Sequence, residues 1–244
     1  MARTVNEQEY AIKRAEILDA AQSLMYRKGF DLLTIKDIID VVKISKGAFY
    51  HYFESKEAVF EALLQRMASE GEKVFVSLLE NRDLPTIPKL QHLFDAMGRW
   101  KTQRKTYILS LMRVWYADEN AAARLRLQES VIEHNAPLLA RIIGEGVEEG
   151  VLSPVFPDIA ANMVLVLLTS IGNAFLKFLY APDPIEVSIA RAERLCAAYN
   201  DAVERILGAP SGSLHLIDAA TIREWFDSVK EHAELIPATA GGSV

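Results

Sequence analysis

The sequence predicts an all-α chain, a small head of short helices followed by a larger helical domain. Three observations carry that expectation. Apolar residues recur at helical spacing along most of the 244 residues. Strand-like alternation is absent, and no Asn-Gly or Asp-Gly pair marks a hairpin. Pro88, Pro157 and Pro184 sit near expected helix starts, where a missing N–H costs nothing.

The first helix is expected from about Glu7 to Lys28. Ile12, Ala15, Ile17, Leu18, Ala21, Leu24 and Met25 form its apolar face, and Gly29 is placed to cap its C-terminus. Thr34 stands at an N-cap position with Asp37 three residues on, a capping-box-like pair that opens a second helix from Ile35 to about Val42. Lys43-Ile44 makes a short turn, and Ser45 caps a third helix over Lys46 to Phe53. Ser55 caps a long fourth helix, Lys56 to about Glu80. Asn81 to Pro88 holds two prolines and is the clearest break. Further helices are expected over Pro88–Lys105, Tyr107–Ala117, Asn120–Glu149, Pro157–Tyr180, Pro184–Leu207 and Ile217–Ala233, with Pro137 expected to kink or break the third of these.

Composition narrows the function classes. There are 27 Lys+Arg and 33 Asp+Glu, a formal net charge of −6, and half of the chain is apolar. An acidic balance argues against a protein that coats nucleic acid nonspecifically, but not against a small basic reading head. Residues 1–60 hold nine basic and nine acidic side chains, so the excess negative charge lies in the remaining 184 residues. Within the head, Lys43 to Lys56 carries three Lys against one Glu. One cysteine, Cys196, excludes an internal disulfide framework and fits a reducing, cytoplasmic compartment. No secretory segment is expected in the polar N-terminus. Ala160 to Tyr180 is about long enough to span a bilayer, yet Asn162, Ser170, Asn173 and Lys177 interrupt it, so a buried helix and no membrane are expected. Gly-rich phosphate loops, G-x-S-x-G and H-E-x-x-H are absent, and the five histidines lack ligand spacing. No catalytic residue, metal ligand or cofactor is therefore expected, and the chain is not read as an enzyme.

The chemistry concentrates in Thr34 to Phe60. Two short helices across a tight turn suit a helix-turn-helix, whose second helix enters the major groove of DNA. Gly47 and Ala48 are small enough for close backbone approach. Ser45 and Lys46 lie in a helix first turn, where N–H groups and the dipole favour phosphate. Tyr50, His51 and Tyr52 are consecutive polar-tipped rings, and a helix cannot bury all three, so some must face solvent or a ligand. Phe49 and Phe53, four apart, can pack inward together. Lys56 lies at the next helix start, where a cation opposes the dipole and an external anion would offset the cost.

Thr34, Ser45-Lys46-Gly47, Phe49-Tyr50-His51-Tyr52-Phe53 and Ser55-Lys56-Glu57, in that order, resemble the DNA-binding domain of the TetR family of bacterial transcriptional regulators. The resemblance covers about Ala11 to Gly71. Lys43 departs from it, standing at a turn position where the family usually has Gly and where φ is often positive. By this resemblance Thr34 caps the second helix and donates to phosphate, and Lys36 reaches a phosphate. Lys46 and Ala48 meet base edges, while Ser45, Tyr50, His51, Tyr52 and Lys56 hold the DNA backbone, with Gly47 allowing the approach. A plain surface histidine is the alternative for His51, and packing against the first helix for Tyr52.

The resemblance also implies a helical effector-binding and dimerisation domain after the helix-turn-helix head. The domains expected are a flexible arm at 1–10, the DNA-binding head at 11–71 with its motif at 34–53, the effector and dimer domain at 72–236, and a flexible tail at 237–244. A homodimer is expected through helices 157–180 and 184–207, with Asn162 and Asn173 as interhelical partners, on a near-palindromic double-stranded operator. Trp100, Tyr107, Met112, Trp115, Tyr116, His134, Asn173, Phe175 and Phe178 are candidate linings of an effector pocket, and their aromatic load suits an apolar or aromatic ligand. For each, a plain core role is the alternative. The basic run Arg99, Lys101, Arg104 and Lys105 reads as a solvated helix end. The function expected is a ligand-released repressor, with an activator or a ligand-independent regulator of the same fold as the alternative.

Overall fold

The computed structural model describes residues 7–30, 32–79, 84–115 and 121–231. Among the described residues there are ten helices and no strand: α1 Glu7–Lys28, α2 Ile35–Val42, α3 Lys46–Tyr52, α4 Lys56–Leu79, α5 Thr86–Gln103, α6 Lys105–Trp115, α7 Ala121–Glu148, α8 Pro157–Leu179, α9 Ile185–Leu207 and α10 Ala219–Glu231. The expected arm at 1–10 is helical from Glu7 on; residues 1–6 and the expected tail at 237–244 lie outside the described residues. By contact, the described residues of Met1–Met67 and Thr106–Arg124 form one compact unit, and those of Ala68–Lys105 and Leu125–Ala233 another.

Two proline expectations change. α5 starts at Thr86, so Pro88 lies in its first turn rather than at its first position; N–H groups there have no helical acceptor, and nothing is lost. Pro137 does not break α7, which runs from Ala121 to Glu148 through it. The proline is exposed, while Asn135, Ala136 and Leu139 are buried beside it, so packing of this face holds the helix across the missing bond.

In the first unit α1 buries Ile17, Leu18, Ala21 and Met25, and α2 buries Ile38. Phe49 and Phe53 close the core beneath α3, and Phe30 meets Phe60 of α4 at 5.1 Å. Arg66 of α4 reaches back to α1, donating to Asp19 Oδ1 at 2.6 Å and to Gln22 Oε1. Tyr26 of α1 stacks on Tyr107 of α6 at 5.2 Å. Gly29 ends α1 with φ +74°, and its N–H donates to the Met25 carbonyl at 2.9 Å, as the C-cap reading expects.

Side-chain and backbone caps close both ends of α2. Thr34 Oγ1 accepts from the Asp37 N–H at 3.2 Å, and the Asp37 carboxylate accepts from the Thr34 N–H at 2.8 Å, a complete capping box. The same carboxylate oxygen takes the Thr34 hydroxyl proton at 2.6 Å and the Lys28 ammonium at 2.5 Å. One oxygen thereby ties the last turn of α1 to the first turn of α2. The Lys28 ammonium, then the two Thr34 donors, hold the Asp37 carboxyl well below the usual carboxylate range. At the other end of α2, Lys43 adopts φ 58° and ψ 46°, the left-handed conformation that glycine usually supplies, and its N–H caps α2 at the Ile39 carbonyl. It is the one described non-glycine residue with positive φ. The turn keeps its geometry and Lys43 carries the strain.

In the second unit α8 lies along α9, and α10 packs on α5, α8 and α9. The segment after α9 is held by side chains whose polar atoms replace helix partners. Buried Glu204 accepts from the Gly212 and Leu214 N–H groups at 3.0 and 2.9 Å. Gln91 of α5 both donates to and accepts from the His215 backbone, at 2.9 and 2.8 Å. Trp225 Nε1 donates to Thr102 Oγ1 at 3.2 Å. α8 is long and apolar enough to cross a membrane by length and composition, but Ala161, Val164, Leu165, Ile171, Phe175 and Leu179 are buried within the protein.

Two outcomes follow from the caps of α2. Lys43→Gly should stabilise the head by up to about 1 kcal/mol, seen as a raised denaturation midpoint, because it removes the left-handed penalty of a side chain. Asp37 is depressed in the folded state, so its contribution is present above its ordinary value of 3.8 and is lost as pH falls below that toward the folded value. Acid titration of head helicity should show this loss in the parent, starting near pH 4, whereas Asp37→Asn should be less stable at neutral pH and lack that component; parallel acid curves would contradict the assignment.

Candidate nucleic-acid interface

The face of α3 is decided by its two phenylalanines. Phe49 is fully buried and Phe53, its C-cap residue, nearly so. At about 100° per residue, burying these two forces their neighbours outward. Ser45, Lys46, Gly47, Tyr50 and His51 are exposed, and Ala48 is half-buried. Tyr50 packs edge-on against Phe49 at 5.6 Å but leaves 45% of its surface to solvent. Ser45 accepts from the Ala48 N–H at 3.1 Å, which fixes the first turn. The exposed surface thus offers an ammonium, a phenol, an imidazole and a hydroxyl around a small-residue gap at Gly47. Lys36 is exposed on α2.

Three sequence-predicted members occupy less simple positions. Tyr52 is half-buried and stacks on Tyr10 of α1, with ring centroids 4.8 Å apart, the packing against the first helix that stood as its alternative. The Thr34 hydroxyl gives its proton to Asp37, so in this arrangement it has none for a phosphate; its capping role stands. Lys56 does not wait for an external anion. Its ammonium donates to the Phe30 carbonyl at 2.9 Å and lies over the Phe30 ring at 4.1 Å, and these partners offset the unfavourable helix-end charge. The carbonyl belongs to the bend after α1, so Lys56 pins that bend to α4.

Sequence reasoning missed Tyr10 and Arg14. Tyr10 touches both Tyr52 and His51, and Arg14 lies 4.8 Å over the Phe53 ring. A signal was present: Tyr10, Arg14, Ile17 and Ala21 continue one helical stripe, but the polar residues around Tyr10 masked it.

The candidate effector residues are divided between the two units. Tyr107 and Trp115 are buried in the first unit; Trp100, His134, Asn173, Phe175 and Phe178 belong to the second. His134 is exposed and bonds its own helix at the Ser130 carbonyl, 2.7 Å away, which turns it from an interior role to a surface one. Phe175 does sit in an aromatic group, meeting Trp225 and Phe226 of α10 at 6.3 and 6.0 Å. The side chain of Met112 and the whole of Tyr116 lie outside the described residues. Asn162 is exposed within the single chain and donates to the Asp158 carbonyl at 3.0 Å. In the basic run, Arg104 lies over Trp100 and pairs with Glu70 at 3.4 Å, and Lys105 pairs with Glu224. Cys196 is buried, and burial pushes its thiol up to about 11, so it stays protonated.

Residues 17–63, which span α1 to α4 of the head, match the family described as bacterial regulatory proteins, tetR family. An uncharacterized HTH-type transcriptional regulator, YfiR, of Bacillus subtilis (strain 168) is 25% identical over 167 residues, 64% of this chain and 76% of that one. The HTH-type transcriptional repressor DhaR of Mycobacterium sp. (strain GP1) is 30% identical over 84 residues, 34% of this chain; the alignment spans 42% of DhaR, less than half its length. A TetR-family transcriptional regulator from Pectobacterium atrosepticum shares the fold with a TM-score of 0.58 at 17% identity, over 85% of this chain and all of that one. The resemblance read from Thr34 to Glu57 and these matches converge on one conclusion. Residues 17–63 carry the helix-turn-helix head of the bacterial tetR-type regulatory proteins.

Proposed function

We propose that the protein is a cytoplasmic repressor that binds a near-palindromic operator as a homodimer and is released by a small apolar or aromatic effector. The observation that carries the DNA-binding part is the outward face of α3, where Lys46, Tyr50 and His51 stand exposed around Gly47 on a helix anchored by Phe49. In this reading Lys46 and the Ala48 methyl meet guanine and thymine edges, while Ser45, Tyr50, His51 and the N-terminal N–H groups of α3 hold phosphates. Lys36 adds a phosphate contact beside them. Thr34 and Lys56 act by fixing the caps and the bend, and Tyr52 by backing His51. Related chains that carry the name of repressor support that sign of regulation.

The dimer reading rests on α8 and α9. Ile159, Met163 and Val166, spaced four and three apart on α8, are each about half exposed, and Val187 on α9 is 41% exposed. An apolar stripe on two adjacent helices suits an isologous contact, and Asn162 would then lie beside it. Two heads related by a two-fold axis need half-sites about one DNA turn apart, and an effector that binds one head spacing better would shift the population and release the DNA. For the effector, the Phe175–Trp225–Phe226 group is the aromatic wall that the described residues offer.

Selection of duplexes from a random pool should enrich a near-palindrome, and Lys46→Ala or Tyr50→Ala should abolish binding to it without lowering the melting midpoint. Unchanged affinity of either variant in a gel-shift titration would overturn the assignment. Val166→Arg should shift the mass measured by light scattering from dimer toward monomer, since a charge at the centre of an apolar contact cannot be solvated there. A parent protein that is monomeric at micromolar concentration would contradict the dimer.

A further inference from the structure

The α3 face described above ends in an aromatic group completed by a ring from outside the sequence motif. Tyr10 enters it from α1. Its ring centroid lies 4.8 Å from Tyr52 at an interplanar angle of 35°, and 5.6 Å from His51 at 87°. His51 and Tyr52 are themselves edge-to-face at 5.2 Å and 74°. Each ring therefore touches the other two in geometries that aromatic quadrupoles favour. One turn further along α1, Arg14 covers Phe53. α1 thus grips the C-terminal end of α3 at two successive turns, and the upper grip falls on a side chain that faces solvent.

We infer that Tyr10 is a positioning residue for DNA binding, holding the His51 ring, backed by Tyr52, on the α3 surface in the orientation in which it meets the DNA backbone. The inference rests on the DNA-binding reading of α3. An exposed histidine on a short helix would otherwise exchange among staggered rotamers. Ordering it on binding would cost affinity, and a side chain held in place beforehand avoids that cost. Tyr10 itself acts through the other two rings: it is half-buried and packs against both of them.

The probe is the duplex that the parent protein enriches from a random pool, with binding followed by fluorescence anisotropy. Tyr10→Ala should weaken binding about tenfold, since two rings lose their support. The slope of affinity against salt should not change, because no phosphate contact is removed. Tyr10→Phe, which keeps the ring, should bind within about twofold of the parent. In a His51→Ala/Tyr52→Ala background, removing Tyr10 should cost nothing more, and this coupling separates positioning from a merely structural role. The His51 ring resonances of the free protein should move in Tyr10→Ala and stay in Tyr10→Phe. If Tyr10→Ala lowers the melting midpoint, Tyr10→Leu keeps the bulk and carries the same test. Parent-like affinity of the alanine or leucine variant, or an equal loss in both backgrounds, overturns the inference while the DNA-binding reading stands. If the parent enriches no duplex, that reading fails and this one with it.

Discussion

The outward face of α3 depends on the burial of Phe49. A helix of seven residues has too few hydrogen bonds to persist by itself and must be held by what it packs on. Phe49, fully buried, and Phe53 supply that hold, and together they fix the rotation of α3 about its own axis. Everything exposed on the other side follows from this rotation. A polar residue at position 49 would free the helix to turn, and Lys46, Tyr50 and His51 would no longer share one face.

Around this anchor the head uses polar atoms twice. Asp37 completes the cap of α2 and also binds Lys28 of α1. Lys56 opens α4 and also binds the Phe30 carbonyl in the bend after α1. Each charge thereby fixes an angle between elements, which an isolated surface ion pair seldom does. Residues that look like DNA contacts in a motif are here divided in labour. Lys46, Tyr50 and His51 face outward, while Thr34 and Lys56 are committed to the architecture that presents them. Lys43 accepts a strained conformation for the same purpose, because the turn between α2 and α3 sets where α3 lies.

The second unit follows another principle. Its irregular segment between α9 and α10 leaves backbone N–H groups without helical partners, and Glu204, Asn200 and Gln91 supply acceptors for them. Burying a carboxylate such as Glu204 is costly unless it is satisfied, and two backbone donors satisfy it. α10 is in this way fastened to α5 and α9, with its Trp225 and Phe226 against Phe175.

Local signals sufficed for the all-α class, most helix boundaries, the Thr34–Asp37 box, the Gly29 cap and the inward pairing of Phe49 with Phe53, because caps and periodicity act over three or four residues. The resemblance to the TetR-type head was legible too, since its motif is one contiguous stretch. Three matters needed the tertiary structure. Whether three consecutive rings face in or out depends on the partner helix, and Tyr10, more than forty positions away, decides it for Tyr52. What offsets the charge of Lys56 is a carbonyl 26 residues earlier, which no local pattern encodes. The survival of α7 through Pro137 is set by long-range packing. Short-range hydrogen bonding is written in neighbouring residues, whereas burial is a property of the whole chain.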